Sequence, residues 1–543
     1  MLRKSFLYFN TLKHLKFKQI YYRLFYFFYN PISVSSKKNI KLDINLKNTA
    51  LKFNRKNKIY LDNNKITFIN HSVDITDKTI WNDASQTALW LYNLHYFDGL
   101  NVLNKDQQAQ FYTLLNRWID ENIPCSNISW NSFVLSLRIV NIIKYALSGN
   151  YLSEKVLYSL YLQVRTLYKK CEYHLLGNHL FENFKALCIA GLFFNSSEAT
   201  DWFHKGFHGL QKEIQEQVLK DGGHFELSAM YHVLFLEGLL DLHLIFNYYG
   251  REFIWKNIVE KMLHWLVIME RSDDEIPYFN DSANQTVTDP HALCDYAKRL
   301  GYFISSQQKP LNYLAESGFV IANTDQFRLI MDVGNIGSDY LPAHAHADSL
   351  SFELLVFKNP VFINLGTSCY GDSARRLFER STAAHNTVVV NEKNSSDVWS
   401  GFRVGKRAYI KNVKIIEKNN FFCIEASHDG YQHCLHKRTW EIFSDKIIIK
   451  DHLSQKVKSA FAYFHCHPNC QIVSQAPKKI ILQLKNGLKI YFETENEYSL
   501  IESEYAQAFG DIRKTKSICV KLDNDNQVSK IRVERKREWI QNV

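Results

Sequence analysis

Nothing in the 543-residue sequence approaches the roughly eighteen uninterrupted apolar residues of a membrane-spanning helix. The ten cysteines are scattered, and only Cys466 and Cys470 lie close together. That density is too low for a disulfide scaffold and suits free thiols in a reducing compartment. No zinc-finger or ribonucleoprotein motif is present, and no dense Lys/Arg tract lies outside the two termini, so nucleic acid is not expected as a partner. No internal repeat is evident. At the start of the chain, Lys13, Lys16, Lys18 and Arg23 interrupt any apolar core, which argues against a cleaved signal peptide. A cytoplasmic location is favoured on that ground, with a periplasmic or membrane-associated one as the alternative. Residues 1–30 offer either a basic aromatic helix lying on a membrane surface, hence a peripheral membrane contact, or a face packed against the main body.

What is present is material for a large folded protein. Hydrophobic residues make up 46% and aromatic residues 14%, with 30 Tyr and 37 Phe. The length exceeds the size at which one core keeps growing, so two or three domains are expected. Lys and Arg number 66 against 55 Asp and Glu, a net charge of +11 that attracts polyanions without saying which. From Trp81 to Ile304 apolar residues recur at helical spacing, as in Thr87–Leu100, Phe133–Leu147, Glu154–Cys171, Phe181–Phe194, Ala199–Leu219, Met230–Tyr249 and Ile254–Arg271. Consecutive helices with short links form a bundle, an array of hairpins or a closed toroid. Beyond about residue 315 the period shortens. Gly318–Asn323 and Phe327–Asp332 predict a hairpin, strand-like segments, Ile442–Lys450 among them, continue through Leu488–Phe492, and Asn486-Gly487 predicts a type I′ turn. This half reads as an antiparallel β-sandwich. Residues 1–80 read as a leader packed on the body, 81–315 as the helical domain and 316–543 as the sandwich.

Three stretches concentrate polar chemistry. In Asn178-His179-Leu-Phe-Glu182 the polar residues share one helical face, and Gly177 marks a helix start, where free N–H groups favour an anion. Asp221-Gly-Gly-His224-Phe-Glu226 opens a helix whose first turn carries Tyr231-His232, with Ser228 as its cap. A tyrosine hydroxyl donates a proton readily but needs help to act as a base, its ordinary pKa being about 10. In His344-Ala-His346-Ala-Asp348 the imidazoles point the same way if the backbone is extended, which suits one metal ion or one metal ligand beside a base. His385-Asn386 is a further ligand candidate.

These stretches, with Leu365-Gly366-Thr-Ser-Cys-Tyr370-Gly371 and Arg380-Ser-Thr-Ala-Ala-His385-Asn386-Thr387, resemble the heparinase II/III-like polysaccharide lyases over roughly residues 80–460. The resemblance implies a multidomain α+β chain, an incomplete (α/α) toroid followed by an antiparallel β-sandwich, with a cleft between them. It also implies cleavage of an acidic, uronate-containing poly- or oligosaccharide by β-elimination, in a setting linked to bacterial surface-polysaccharide metabolism. Asn178 and His179 match carboxylate-facing positions with Glu182 nearby, Tyr231 matches the acid, which can also serve as base on one substrate stereochemistry, and His344 matches the base for the other. Arg138, His224, Glu226, Asn280, Asp281 and Arg380 are secondary substrate-binding candidates. His346, Asn364 and His385 match metal positions for a structural Zn²⁺, although Asn364 stands where an Asp is often found and a neutral amide is a weak zinc ligand. No organic cofactor is expected. The competing readings are a non-catalytic glycan-binding or assembly protein and a metal-dependent glycan hydrolase.

Overall fold

Side-chain caps start most of the helices. Thr87, Asn104, Ser153, Ser196, Ser228 and Asp289 each accept a backbone N–H from the first turn that follows. The computed structural model describes residues 2–29, 42–54, 59, 61–62, 64–271, 273–305, 309–419 and 421–534. Two short helices, α1 (Leu2–Leu12) and α2 (Phe17–Phe28), precede a small sheet of Leu61–Asp62, Lys65–Phe68 and His71–Asp74. Then come α3 (Ala88–Tyr96), α4 (Lys105–Glu121), α5 (Ser132–Leu147), α6 (Glu154–Lys169), α7 (Gly177–Phe193), α8 (Ser197–Gln217), α9 (Ala229–Tyr248), α10 (Lys256–Met269) and α11 (Pro290–Arg299). These form the incomplete α/α toroid of a multidomain α+β chain.

The central helices α7 and α9 are buried almost all round, which is why their apolar residues show little one-sidedness. Their Phe181 and Phe235 rings stack at 4.0 Å. The Ala229–Tyr249 segment is long and apolar enough to cross a membrane, but 89% of its most apolar window is buried, so it is a core helix. Helices α7 and α8 touch backbone to backbone, and a Cβ on Gly206 would lie 2.4 Å from the Cys188 nitrogen.

An antiparallel five-stranded meander, Leu311–Leu314, Phe319–Asn323, Phe327–Asp332, Phe352–Val356 and Asn359–Phe362, is the wall between the domains. Strand alternation divides its residues. Phe319, Ile321 and Ile330 join the helical core, whereas Val320, Ala322, Leu329 and Met331 join the sandwich core. Covered on both faces, Phe327–Asp332 is buried at every position. An eight-stranded antiparallel sheet and a four-stranded one complete the sandwich. The eight-stranded sheet shows the one-sided pattern of a half-covered surface, as in the alternating burial of Cys434–Phe443.

Two local readings change. Asn486-Gly487 does not form a type I′ turn: Leu484 pairs with Leu488 around a three-residue loop in which Gly487 alone takes positive φ. Ile442–Lys450 is not one strand, because Cys434–Phe443 and Lys446–Leu453 are hairpin partners with the turn inside that stretch.

Candidate active site

The three polar stretches converge where α7, α9 and the loop before Phe352–Val356 meet. Ser228 caps α9 by accepting the Tyr231 N–H at 3.2 Å and donates to the Asp281 carbonyl, tying the helix to the loop that faces it. Tyr231 therefore sits in the first turn. Its ring lies 3.9 Å from the His344 ring, and its hydroxyl meets the Tyr370 hydroxyl at 3.1 Å. Burial raises the Tyr231 phenol above its ordinary value, so it is held protonated.

His344 is oriented through Nδ1, 2.8 Å from Asp281 Oδ2. Asp281 is the hub of the site. It accepts His346 Nε2 at 2.8 Å and both terminal nitrogens of Arg376, with Arg376 Nη2 at 2.6 Å. Burial alone would lift its carboxyl, but Arg376, His344 and His346 hold it well below the usual carboxylate range. With the Nδ1 proton directed at Asp281, His344 presents the Nε2 lone pair, 3.6 Å from Glu226 Oε2. Asn280 joins the turn from the other side: its Oδ1 accepts the His346 N–H at 3.0 Å and its Nδ2 donates to the Leu227 carbonyl at 2.9 Å. Arg380 donates to the Ala345 and Ser400 carbonyls and fixes the backbone between the two histidines.

Helix α7 enters from Leu176 and Gly177, both at positive φ. Asn178 is not the cap but lies inside the first turn. Among the described residues its side-chain amide has no hydrogen-bond partner. The N-terminus already faces one anion, since the Asn178 backbone N–H is close enough to Glu226 to favour its carboxylate. Burial nonetheless raises Glu226, against the opposing pull of His344, His179 and that N–H. His179 is half-buried against the Phe133 ring, with Nδ1 3.3 Å from Glu172 Oε1. Burial disfavours its imidazolium, yet Glu172, helped by Glu226 and Glu182, outweighs this and raises its pKa.

Three candidates point elsewhere. Arg138 is wholly buried in α5, donating to Gln163, the His95 carbonyl and the Ser129 carbonyl over the Trp118 ring, so it clamps the core and no substrate. Glu182 turns inward to Lys185 at 2.7 Å. His224 is buried with Nε2 3.3 Å from Gln217, and burial drives its pKa well below the ordinary value. The sequence reading overlooked Arg376, Tyr370, Glu172 and Phe402. Tyr370 stands inside a motif already singled out, whereas Arg376 meets Asp281 from 95 positions away, a separation that no local pattern bridges.

The metal positions are a partial fit. His346 Nδ1 and His385 Nε2 lie 3.2 Å apart. Two imidazoles on a tetrahedral zinc would be separated by about 3.3 Å, so this pair alone would accept one. The third donor does not. Asn364 Oδ1 accepts the Asn386 N–H at 3.0 Å, and its buried Nδ2, a donor with no lone pair to give, is without a partner. His346 donates its other ring nitrogen, Nε2, to Asp281, as a metal-ligating histidine would, so the misfit lies at Asn364 alone. The residues thus form a hydrogen-bonded chain from His385 through His346 to Asp281 and Arg376, and they fall short of a zinc site.

A cavity of about 550 Å³ opens beside Phe509, whose ring meets Tyr370 edge-on at 4.9 Å. Asp98, Asp274, Glu275 and Asp289 line it, the wrong sign for a polyanion. Neither Asn178, Tyr231 nor His344 borders it.

Known proteins share this arrangement of domains. A heparin-sulfate lyase of Bacteroides stercoris is 25% identical over 345 residues, covering 57% of this chain and 49% of the relative. The chain thus aligns with about half the length of the curated relatives it matches. The crystal structure of a heparinase III superposes with a TM-score of 0.65 at 16% identity, covering 82% of this chain and 76% of the other. A heparan sulfate lyase from Pedobacter heparinus superposes with a TM-score of 0.56 at 17% identity, covering 86% of this chain and 80% of the other. At such identities these structures speak to the fold, a toroid followed by a sandwich. The family model described as Heparinase II/III N-terminus matches residues 31–310, and the one described as Heparinase II/III-like, C-terminal matches residues 306–534. Since the two together run through both domains and the wall between them, the chain belongs to the heparinase II/III-like family.

Proposed function

We propose that this protein is a polysaccharide lyase that breaks an acidic, uronate-containing glycan by β-elimination. The observation that carries the proposal is the pair Tyr231 and His344: a phenol held protonated, stacked on an imidazole whose Nδ1 is fixed by Asp281 and whose Nε2 is open. Elimination needs a base for the proton on C5, an acid for the departing 4-oxygen and a group that stabilises charge on the uronate carboxylate. His344 Nε2 takes the C5 proton. The electrons of that C–H bond become the C4–C5 double bond, the C4–O bond breaks, and the Tyr231 hydroxyl protonates the leaving oxygen. The Asn178 amide and His179 face the carboxylate. Glu226, its pKa raised by burial, shares a proton with it as enolate character develops.

No step runs through a metal, in keeping with the incomplete donor set at Asn364. The heparin-sulfate lyases among the relatives favour a glycosaminoglycan-like polymer of alternating uronate and amino sugar. A cytoplasmic or membrane-associated setting, with a surface glycan as substrate, fits the basic start of the chain.

A panel of uronate polymers tests the reaction. Products should absorb in the near ultraviolet through the conjugated double bond, and Tyr231→Phe should abolish that absorbance. New reducing ends without it would mean hydrolysis, and binding with neither product would mean a glycan-binding or assembly role.

A further inference from the structure

The first 42 residues contain no Asp or Glu and nine Lys or Arg. Within them, α1 and α2 present narrow polar stripes to the body. On α1 and the turn after it, Leu7, Asn10, Thr11 and His14 face inward. Thr11 accepts Trp399 Nε1 at 3.1 Å and donates to the Val404 carbonyl at 3.1 Å, while the Tyr8 ring meets Trp399 edge-on at 4.9 Å. On α2 the stripe is Gln19, Tyr22 and Tyr26. The Tyr26 hydroxyl donates to the Cys171 carbonyl at 2.6 Å, and Tyr22 stacks on Tyr173 at 4.7 Å. The inner faces of both helices are therefore taken.

The outer faces are apolar and uncovered by any described residue. Among the described residues, twelve of the 27 exposed large hydrophobic side chains fall within residues 6–29, among them Phe9 at 66%, Phe17 at 78%, and Phe27 and Phe28 at 82% each. A soluble protein seldom gathers so many unless the patch has a partner. Helices of 11 and 12 residues are too short to span a bilayer. Aromatic rings outward with lysines interspersed are the composition of helices that lie in the headgroup region.

We propose that α1 and α2 dock the protein onto an anionic lipid surface, with Phe9, Phe17, Phe27 and Phe28 entering the acyl boundary and Lys4 and Lys13 meeting the headgroups, while Lys16 is paired with Glu216 of the body. Charge selects this occupant. A second copy would bring two acid-free basic patches face to face, whereas anionic lipid supplies the missing counter-charge. Docking also sets where the cleft sits. Helix α1 rests on Val398–Val404, whose Phe402 ring lies 6.1 Å from the His344 ring. Helix α2 rests on Tyr340 and Cys171, next to the segments that carry His344 and Glu172. The cleft is thereby held beside the bilayer, in reach of a glycan tethered there. The docking stands apart from the elimination chemistry.

Flotation of the full-length protein with phosphatidylcholine vesicles, with and without phosphatidylglycerol, tests this. The protein should float with the phosphatidylglycerol vesicles and far less with phosphatidylcholine alone, and salt should weaken the binding. Phe9→Ser/Phe27→Ser/Phe28→Ser should lower partition by about 100-fold or more. Because the replaced rings touch solvent, the variant should keep its circular dichroism and melting temperature. Lys4→Glu/Lys13→Glu should remove the preference for phosphatidylglycerol while leaving the fold intact. The proposal is overturned if the protein floats with neither vesicle, or if the triple-serine variant floats as well as the parent. It is equally overturned if sedimentation shows a dimer that the triple-serine variant converts to monomer, which would make the patch an interface between copies.

Discussion

On the helical wall of the cleft, Asn178 and Tyr231 occupy the first turns of α7 and α9, and their side chains are held by one hydrogen bond or none. On the opposite wall, His344, His346 and Arg376 all converge on Asp281, while Asn280 and Arg380 fix the backbone of the histidine turn. The first turn of a helix places a side chain by backbone geometry alone, with or without a side-chain cap, so its polar atoms stay free for a ligand. A loop has no such frame and is fixed by charge, which buries the groups that do the fixing. Chemistry and stability should therefore separate on the first wall and move together on the second.

The largest effect expected is from Asp281→Asn. It leaves Arg376 buried without its carboxylate and frees His344 to turn, so stability should fall by about 3–5 kcal/mol, seen as a lower urea midpoint, with turnover lost as well. Tyr231→Phe is its counterpart: a loss of about 10²–10⁴ in turnover with the midpoint nearly unchanged. Equal losses of stability in the two variants would remove the distinction between the walls.

Glu353 sharpens the comparison through pH. It lies in Phe352–Val356, a strand of the five-stranded wall, accepting the Tyr278 and Asn364 N–H groups at 3.0 and 3.3 Å. Burial lifts its pKa to about 7 against the pull of Arg271. The protonated form is the stabilised one, so its contribution is complete below the ordinary value of 4.5 and is lost as pH rises through about 7. Glu353→Gln should remove that slope. Urea titrations at intervals across this range should show the variant gaining on the parent by up to about 3 kcal/mol, and parallel curves would contradict the assignment.

The smallest effect expected is at Asn364. Asn364→Asp adds a carboxylate beside His346 and His385, and without metal it should cost about 1–3 kcal/mol. Zinc should restore the loss and raise the melting temperature, whereas the parent protein should not respond to zinc or to a chelator. A parent stabilised by zinc would show that the amide completes a site after all.

How far the sequence carries can be read from single residues. The helix period, the shift to period two near residue 315 and the His344/His346 spacing are local patterns, and local patterns survive folding. Tyr231 was legible because Ser228 caps the helix ahead of it. Arg376 was not, since its meaning lies in a partner 95 positions away. Arg138 misled: an arginine in a family-like stretch reads as a clamp for an anion, but it sits on a helix buried on nearly every side, where Gln163 and two carbonyls satisfy it. The two-sided burial of Phe327–Asp332 was likewise hidden, because an unbroken apolar strand does not say which cores flank it.

The central claim is that Tyr231 and His344 eliminate across C4–C5 of a uronate. Proton nuclear magnetic resonance of the products from a uronate polymer tests it most directly. The account predicts a vinylic H4 signal at each new non-reducing end, absent with Tyr231→Phe and with His344→Ala. New ends carrying a saturated C4 hydroxyl would contradict it.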